Sequence, residues 1–341
     1  MISFENDYSE GAAPEILRAL TETNLEQHTG YGRDEHSDRA RDYIRRAVAL
    51  PEAEVFLLAG GTQVNQVALD ALLDRCEGVI AADTGHVSLH EGGAIEKTGH
   101  KVLTVPGRDG KIDPGALAAY LAAFDADEAR AMMVQPGAVY ISYPTEYGTL
   151  YAKAELEAIF SLCRARGLKL FIDGARLGYG LAARGSDLTL PELARLCDAF
   201  TIGATKVGAL LGEALVFPRG GACRYMDTFI KQHGALLAKG RVLGVQFETL
   251  FRDGLYRRLA ENAILRAEEM KAIFREKGYT FYLETPTNQQ FILLTDEKTA
   301  ALREKVRFCF WEKPDPAHTV VRFATSWATT ADRVAALRGI L

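Results

Sequence analysis

Short apolar runs bounded by polar residues alternate with amphipathic stretches through the first two thirds of the chain, which predicts strands and helices in regular succession. Strand-like runs fall at 55–59, 79–82, 102–105, 131–135, 168–172, 200–205 and 214–217. Helical patterns fall at 63–75, 114–123 and 152–166, the last with Leu156, Ile159, Phe160 and Cys163 as its apolar positions. Alternation of this kind predicts an α/β fold: a large domain with a mainly parallel sheet and helices on both faces. Beyond residue 219 the pattern turns to long helices at 227–238 and 242–277. Two β-like runs at 289–294 and 319–325, with helical stretches at 298–305 and 331–341, predict a smaller C-terminal α+β domain. The expected organisation is an N-terminal segment 1–50 against the small domain or a neighbouring subunit, a large domain 51–240, and an interdomain helix plus small domain 241–341.

Composition narrows the partners. With 48% apolar and 25% charged residues among 341, the chain has the makeup of a globular protein with a sizeable core. A net charge of -5 without a long basic stripe gives no reason to expect nucleic acid, and small molecules are the expected partners. The first nine residues lack the basic start and apolar stretch of a leader, and no apolar run reaches membrane-spanning length, so neither is expected. Cys76, Cys163, Cys197, Cys223 and Cys309 are dispersed with no CxxC spacing, which points to reduced thiols in a cytoplasm.

Candidate chemistry sits at the ends of the predicted strands, where open α/β sheets bind ligands. Asp173 closes the run 168–172 and Lys206 closes 200–205. The chemistry that uses both an acid and an amine in this way is that of pyridoxal phosphate: the lysine forms a Schiff base and the carboxylate pairs with the pyridinium nitrogen. Gly60-Gly61-Thr62-Gln63 lies between a strand and a helix and could hold a phosphate on backbone N–H groups, although by itself it is also an ordinary helix start. His86 and His90 follow the next strand. No HExxH order accompanies them, and no metal site is expected. Asp173-Gly-Ala-Arg176 places a carboxylate and a guanidinium within one turn, which read alone is also a helix cap with a local ion pair. Neither GxGxxG nor a Walker loop is present, so nicotinamide and ATP readings lack their fingerprints.

Taken together, Asn6-Asp7-Tyr8-Ser9, Gly30-Tyr-Gly-Arg-Asp34, Gly60-Gly-Thr-Gln-Val-Asn65, Gly85-His86, Asp173-Gly-Ala-Arg-Leu177, Thr205-Lys206 and Val321-Arg322-Phe323 give a chain that resembles, over nearly its full length, the threonine aldolase family. That family lies within the aromatic amino acid β-eliminating lyase group of fold-type I pyridoxal-phosphate enzymes. The resemblance implies Lys206 as the Schiff-base lysine and Asp173 as partner of the ring nitrogen. It implies Gly61, Thr62 and Gln63 as the phosphate cradle, His86 stacked on the ring, and Arg176 beside the phenolic oxygen and substrate. Arg322 would clamp the amino-acid carboxylate, with Asn6 nearby where relatives often have a serine. Lys231, Lys239 and Arg241 fall in the region that reaches a neighbouring subunit's phosphate in relatives, although read alone they are solvated helix charges. The implied activity is cleavage of threonine-like β-hydroxy-α-amino acids to glycine and an aldehyde, by a homotetramer or at least a dimer.

Two positions depart from the family. Glu146 stands where many relatives carry a histidine, and His90 where they have an aromatic residue. The base for the β-hydroxyl proton is therefore open among Glu146, His90, His86 and a phosphate-bound water. Elimination of a β-substituent from an amino acid is the alternative reaction; a non-catalytic binding protein is the alternative of another class.

Overall fold

A computed structural model describes residues 1–341. Seven strands form the central sheet: β1 (Glu54–Leu58), β2 (Glu77–Ala82), β3 (Val102–Val105), β4 (Gln135–Ser142), β5 (Lys169–Asp173), β6 (Ala199–Gly203) and β7 (Glu213–Phe217). Their order is β1-β7-β6-β5-β4-β2-β3. Only β7 runs against its neighbours, pairing antiparallel with β1 and β6, while β6, β5, β4, β2 and β3 are parallel. Both faces are buried. Ile141, Ile172 and Phe200 point into one core, and Tyr140, Phe171 and Ala199 into the other. Double burial explains why these strands read as continuous apolar runs rather than alternating ones.

A second sheet of four antiparallel strands, β8 (Thr280–Leu283), β9 (Gln289–Thr295), β10 (Cys309–Asp315) and β11 (His318–Ala324), has the order β8-β9-β11-β10. Its core gathers Ile292, Val321 and Phe323 with Met270 and Phe274. The N-terminal residues serve both cores: Phe4 joins the small one, while Ile16 of α1 (Pro14–Glu22) and Ile44 of α2 (Glu35–Val48) join the large one.

Several elements differ from the sequence expectation. The run at 131–135 is not a strand; Arg130–Met132 forms a short 3₁₀ turn, and β4 extends from Gln135. Gly137 is an extra residue between the pairs Gly78–Pro136 and Val79–Ala138, and this Pro-Gly bulge masked the strand's true start. The stretch 242–277 is two helices, α4 (Arg241–Arg252) and α5 (Leu255–Glu276). They break at Gly254, whose φ of 69° lies in the left-handed region that glycine adopts freely. The helix expected at 227–238 stops at Gln232. Strands β8 and β10 lie outside the sequence expectation: both are partly exposed edge strands whose short apolar runs, Phe281-Tyr-Leu283 and Cys309-Phe-Trp311, do not alternate with polar residues. No helix is long and apolar enough to cross a membrane, and all five cysteines are unpaired.

Candidate active site

The C-terminal ends of β2, β4 and β5 and the turn after β6 meet over the start of α3 (Gly61–Leu72), enclosing a cleft lined by Gly61, Asn65, His86, Glu146, Asp173 and Lys206 among others. Two glycines let the chains come this close. A Cβ on Gly174 would lie 2.0 Å from the carbonyl oxygen of Thr201, and one on Gly203 would lie 2.4 Å from that of Ala175. The residues following β5 and β6, and with them Asp173 and Lys206, are thereby held side by side.

Asp173 is buried on the α3 side of the sheet. Its Oδ2 accepts hydrogen bonds from Tyr140 Oη at 2.7 Å and Asn65 Nδ2 at 2.9 Å, and its Oδ1 accepts from the Ala175 N–H at 2.8 Å. Burial alone would push its carboxyl up; the charge of His86 and these donors outweigh burial and hold it below the usual aspartate value. Lys206 responds in the opposite sense. Burial, then the charge of Arg176, pushes its amine below the usual lysine value. Beside it Glu213 accepts from Thr205 Oγ1 at 2.9 Å, and burial raises the Glu213 carboxyl to about 8 against the pull of Lys206.

His86 opens a short turn after β2, and its Nδ1 lies 2.8 Å from Glu91 Oε1. The same oxygen accepts from Asn65 Nδ2 at 2.7 Å, so one amide group ties the carboxylates of Glu91 and Asp173 together. Burial opposes protonation of His86, but the Glu91 hydrogen bond and the charge of Asp173 prevail and raise its pKa. Glu146 is buried close by; its Oε1 accepts from Ser142 Oγ at 2.5 Å and from the His86 N–H at 3.0 Å. Burial pushes the Glu146 carboxyl up. His90 is exposed at the rim, its ring centroid 5.7 Å from that of His86 and 6.3 Å from Trp311.

Arg176 does not pair with Asp173. Its Nε and Nη2 donate to the fully buried Asp7 at 2.7 and 3.0 Å, and Asn288 Nδ2 adds a third donor to Asp7 at 2.9 Å. Arg322 enters from β11, between Val321 and Phe323 of the small core. Its Nη1 donates to Gln289 Oε1 at 3.0 Å, its Nη2 donates to the Glu5 carbonyl at 3.3 Å, and its guanidinium lies 5.3 Å from the Trp311 ring. The buried Nε has no partner. Asn6 is half-buried, and its Oδ1 is taken up by the Tyr8 N–H and Ser9 Oγ, leaving the amide Nδ2.

This donor set fits pyridoxal phosphate. Gly60 caps α3 without a side-chain hydrogen bond, and a Cβ on either Gly60 or Gly61 would meet nothing within 4 Å, so the helix start opens onto free space. Thr62 is exposed there, and Gln63 makes only long contacts, to the Ala59 N–H at 3.4 Å and the His233 carbonyl at 3.5 Å. An anion, a ring nitrogen and a carbonyl carbon would thus find donors, an ionised carboxylate and an amine in one cleft. Sequence reasoning did not single out Asn65, Glu91, Tyr140, Ser142, Glu213 or Gln289, nor Asp7 as the partner of Arg176. Asn65 carried a signal: a polar residue within the otherwise apolar buried positions Val64, Val67 and Ala68 of a helix.

A family model described as beta-eliminating lyase matches residues 6–297. The chain is 30% identical to the low specificity L-threonine aldolase of Pseudomonas aeruginosa over 335 residues, covering 97% of this chain and 94% of that one. It is 28% identical to the Escherichia coli O157:H7 protein of the same name, covering 85% of each. Among solved structures, Leishmania major threonine aldolase superposes with a TM-score of 0.95 at 40% identity, covering 100% of this chain and 98% of the other. A Thermus thermophilus aspartate aminotransferase, at 17% identity and a TM-score of 0.73 over 100% and 92% of the two chains, speaks for the fold alone. With the family model spanning most of its length, the chain belongs to the beta-eliminating lyase family.

Proposed function

We propose that this chain is a pyridoxal-phosphate-dependent lyase that cleaves threonine-like β-hydroxy-α-amino acids to glycine and an aldehyde. The observation that carries this reading is a buried guanidinium with an unpaired N–H, Arg322, whose charge acts with those of Arg176 and Lys206 on the buried Asp7, in a chain so similar to enzymes named threonine aldolase. When bound, pyridoxal phosphate supplies an electron sink for the pair released as the Cα–Cβ bond breaks. Gly61, Thr62 and Gln63 would hold its phosphate, His86 would stack on its ring, and Arg176 would lie beside its phenolic oxygen. Asp173, ionised at neutral pH, would keep a proton on the ring nitrogen. Lys206, with its lowered amine pKa, would be the covalent tether and could then hold or release a proton at Nζ.

Arg322 would take the substrate carboxylate on its unpaired Nε and the adjacent Nη, with Asn6 Nδ2 as a further donor. Fixing the carboxylate orients the rest of the substrate. Among the candidate bases Glu146 has the strongest case: it lines the cleft, its pKa is raised toward the working range, and no side chain donates to its Oε2. His90, exposed at the rim, would border the substrate side chain instead.

Assembly into at least a dimer, and a tetramer of such dimers, is part of the proposal. It is supported by Tyr31, 48% exposed with Lys231 4.8 Å from its ring, and by Lys239 and Arg241 bordering an open cleft. A cytoplasmic setting is supported by the five unpaired thiols. The organisation into segments 1–50, 51–240 and 241–341 is proposed on the two separate sheets.

The deciding experiment supplies pyridoxal phosphate with threonine, allo-threonine, phenylserine, serine and tyrosine, and identifies products. Glycine with an aldehyde supports the aldolase; a 2-oxo acid with ammonia, pyruvate from serine or tyrosine and 2-oxobutyrate from threonine, would move the reading to β-elimination. Lys206→Ala should lose both the visible cofactor absorbance and turnover, and survival of either would refute the assignment of that lysine.

A further inference from the structure

Away from the cleft, three side chains of the N-terminal segment converge on one point. Glu26 Oε2 lies 2.8 Å from Nε2 of His28 and 2.8 Å from Nε2 of His36. The opposite ring nitrogens are each held by a further carboxylate: His28 Nδ1 is 2.6 Å from Glu35 Oε2, and His36 Nδ1 is 2.6 Å from Glu248 Oε2 of α4. The two rings meet edge to face, with centroids 5.3 Å apart and planes at 78°. Arg39 completes the group, donating to Glu248 through Nε at 2.7 Å and lying 2.9 Å from His36 Nδ1 through Nη2.

A carboxylate on Nδ1 fixes the ring and leaves Nε2 as the ligand atom, the arrangement that orients histidines around zinc and its first-row neighbours. Here two such histidines present Nε2 to the same point as a third carboxylate, all three ligand atoms lying within 4.8 Å of one another. Two imidazoles and one carboxylate are a donor set that zinc takes, with a water in the fourth position. Ligand atoms around a tetrahedral ion with bonds of about 2.0–2.1 Å stand about 3.3 Å apart, so the cluster would need to open by about half an ångström. Three carboxylates, Glu26, Glu35 and Glu248, surround the two imidazoles, with Arg39 on Glu248 and with Lys239 and Arg241 on the cleft beside Glu26. Access exists, because the Glu26 side chain is 45% exposed and borders a surface cleft with Asn24, Gly30, Lys239 and Arg241.

We propose that Glu26, His28 and His36 bind a divalent first-row metal ion, zinc by preference, which clamps the segment preceding α2 onto α2 itself and, through Glu248 on His36, against α4. The clamp would secure a tight junction: Tyr31 N–H donates to the Ala238 carbonyl at 3.0 Å, and a Cβ on Gly30 would sit 2.9 Å from that same oxygen. The role is structural and separate from this chain's own cofactor cleft.

The test uses untagged holoenzyme, stripped of metal with a chelator and titrated with Co2+. One equivalent should bind with visible d–d absorption of four-coordinate strength, and Zn2+ should displace it and raise the thermal midpoint. His28→Gln should abolish the absorption and the Zn2+ shift. Glu35→Gln, a change at an exposed residue that touches only the outer nitrogen of His28, should weaken Co2+ binding about 10- to 100-fold. Absence of saturable Co2+ binding to the unaltered protein, or affinity unchanged in either variant, would overturn the proposal and leave the cluster as an ion-pair network.

Discussion

Asp7 grips Arg176 through both carboxylate oxygens, at 2.7 and 3.0 Å, so the first strand-length of the chain is fastened directly to the turn that follows Asp173. Burial would push the Asp7 carboxyl up, yet Arg176, with Lys206 and Arg322 beyond it, lowers it to about 2. A carboxyl lowered in the folded state stabilises the fold above its unfolded pKa, and that contribution fades as pH falls through the folded value. About 2 kcal/mol should thus be lost between roughly pH 4 and pH 2. Asp7→Asn should flatten this part of the acid-unfolding curve. Asp7→Ala, which strands a buried guanidinium, should cost about 3–5 kcal/mol in urea denaturation. A variant as stable as the parent at neutral pH would show that the pair does not hold the fold.

Arg322 should behave differently, as a group kept ready for a ligand. Its two existing partners are neutral oxygens and its Nε is unpaired. Lysine keeps the charge but cannot bind a carboxylate at two points. Arg322→Lys should lower kcat/KM by about 10- to 150-fold, the equivalent of about 1.5–3 kcal/mol for a charged hydrogen bond. Steady-state kinetics on threonine measures this, and an unaltered kcat/KM would remove Arg322 from the carboxylate site.

The parts of this fold legible in the sequence are those where burial imposes a simple pattern. Strands β2, β5, β6 and β7, buried on both faces, could be read from their apolar runs, and Asp173 and His86 stood out as polar residues at or just past their ends. What escaped depends on contacts between distant segments. The Pro136-Gly137 bulge and the exposed edge strand β10 carry no periodic signal. The pairing of Arg176 with Asp7 spans 169 residues, and nothing local in Asp173-Gly-Ala-Arg176 distinguishes it from a cap with its own ion pair. Glu213 lies just before the expected run 214–217 with no local signal of its own, and only its burial beside Lys206 gives it an altered pKa.

Glu146 should leave its mark on the pH profile. Burial raises its carboxyl, and a general base works only when deprotonated, so activity should rise with pH through a midpoint above the ordinary glutamate value of 4.5. Glu146→Gln should lower kcat by about 10²–10⁴-fold and remove or displace that acidic limb. If the variant keeps the limb at the same midpoint, the base lies elsewhere and His90→Phe becomes the variant to compare.

Glu91 controls His86 from behind. Its Oε1 both receives Asn65 and faces His86 Nδ1, and this hydrogen bond is the main influence raising the imidazole pKa against burial. In Glu91→Gln the charge is gone, so the His86 pKa should fall, which an NMR titration of the cofactor-free protein would follow directly. A His86 titration unchanged from the parent would mean that Asp173 alone sets its charge.

Gly174 tests whether the spacing of strand ends matters for function as well as stability. A methyl group there would meet the Thr201 carbonyl at 2.0 Å, too close for any side-chain adjustment to relieve, because the obstacle is backbone. Gly174→Ala must therefore push the ends of β5 and β6 apart or break the hydrogen bond from the Gly174 N–H to Thr201 Oγ1 at 2.7 Å. Overpacking of this kind costs about 1–3 kcal/mol, which chemical denaturation would register. The same shift moves Asp173 relative to Lys206, so pyridoxal phosphate should bind more weakly, read as a rightward shift of the visible absorbance titration. Lost stability with unchanged cofactor affinity would show that the two residues do not depend on this close approach.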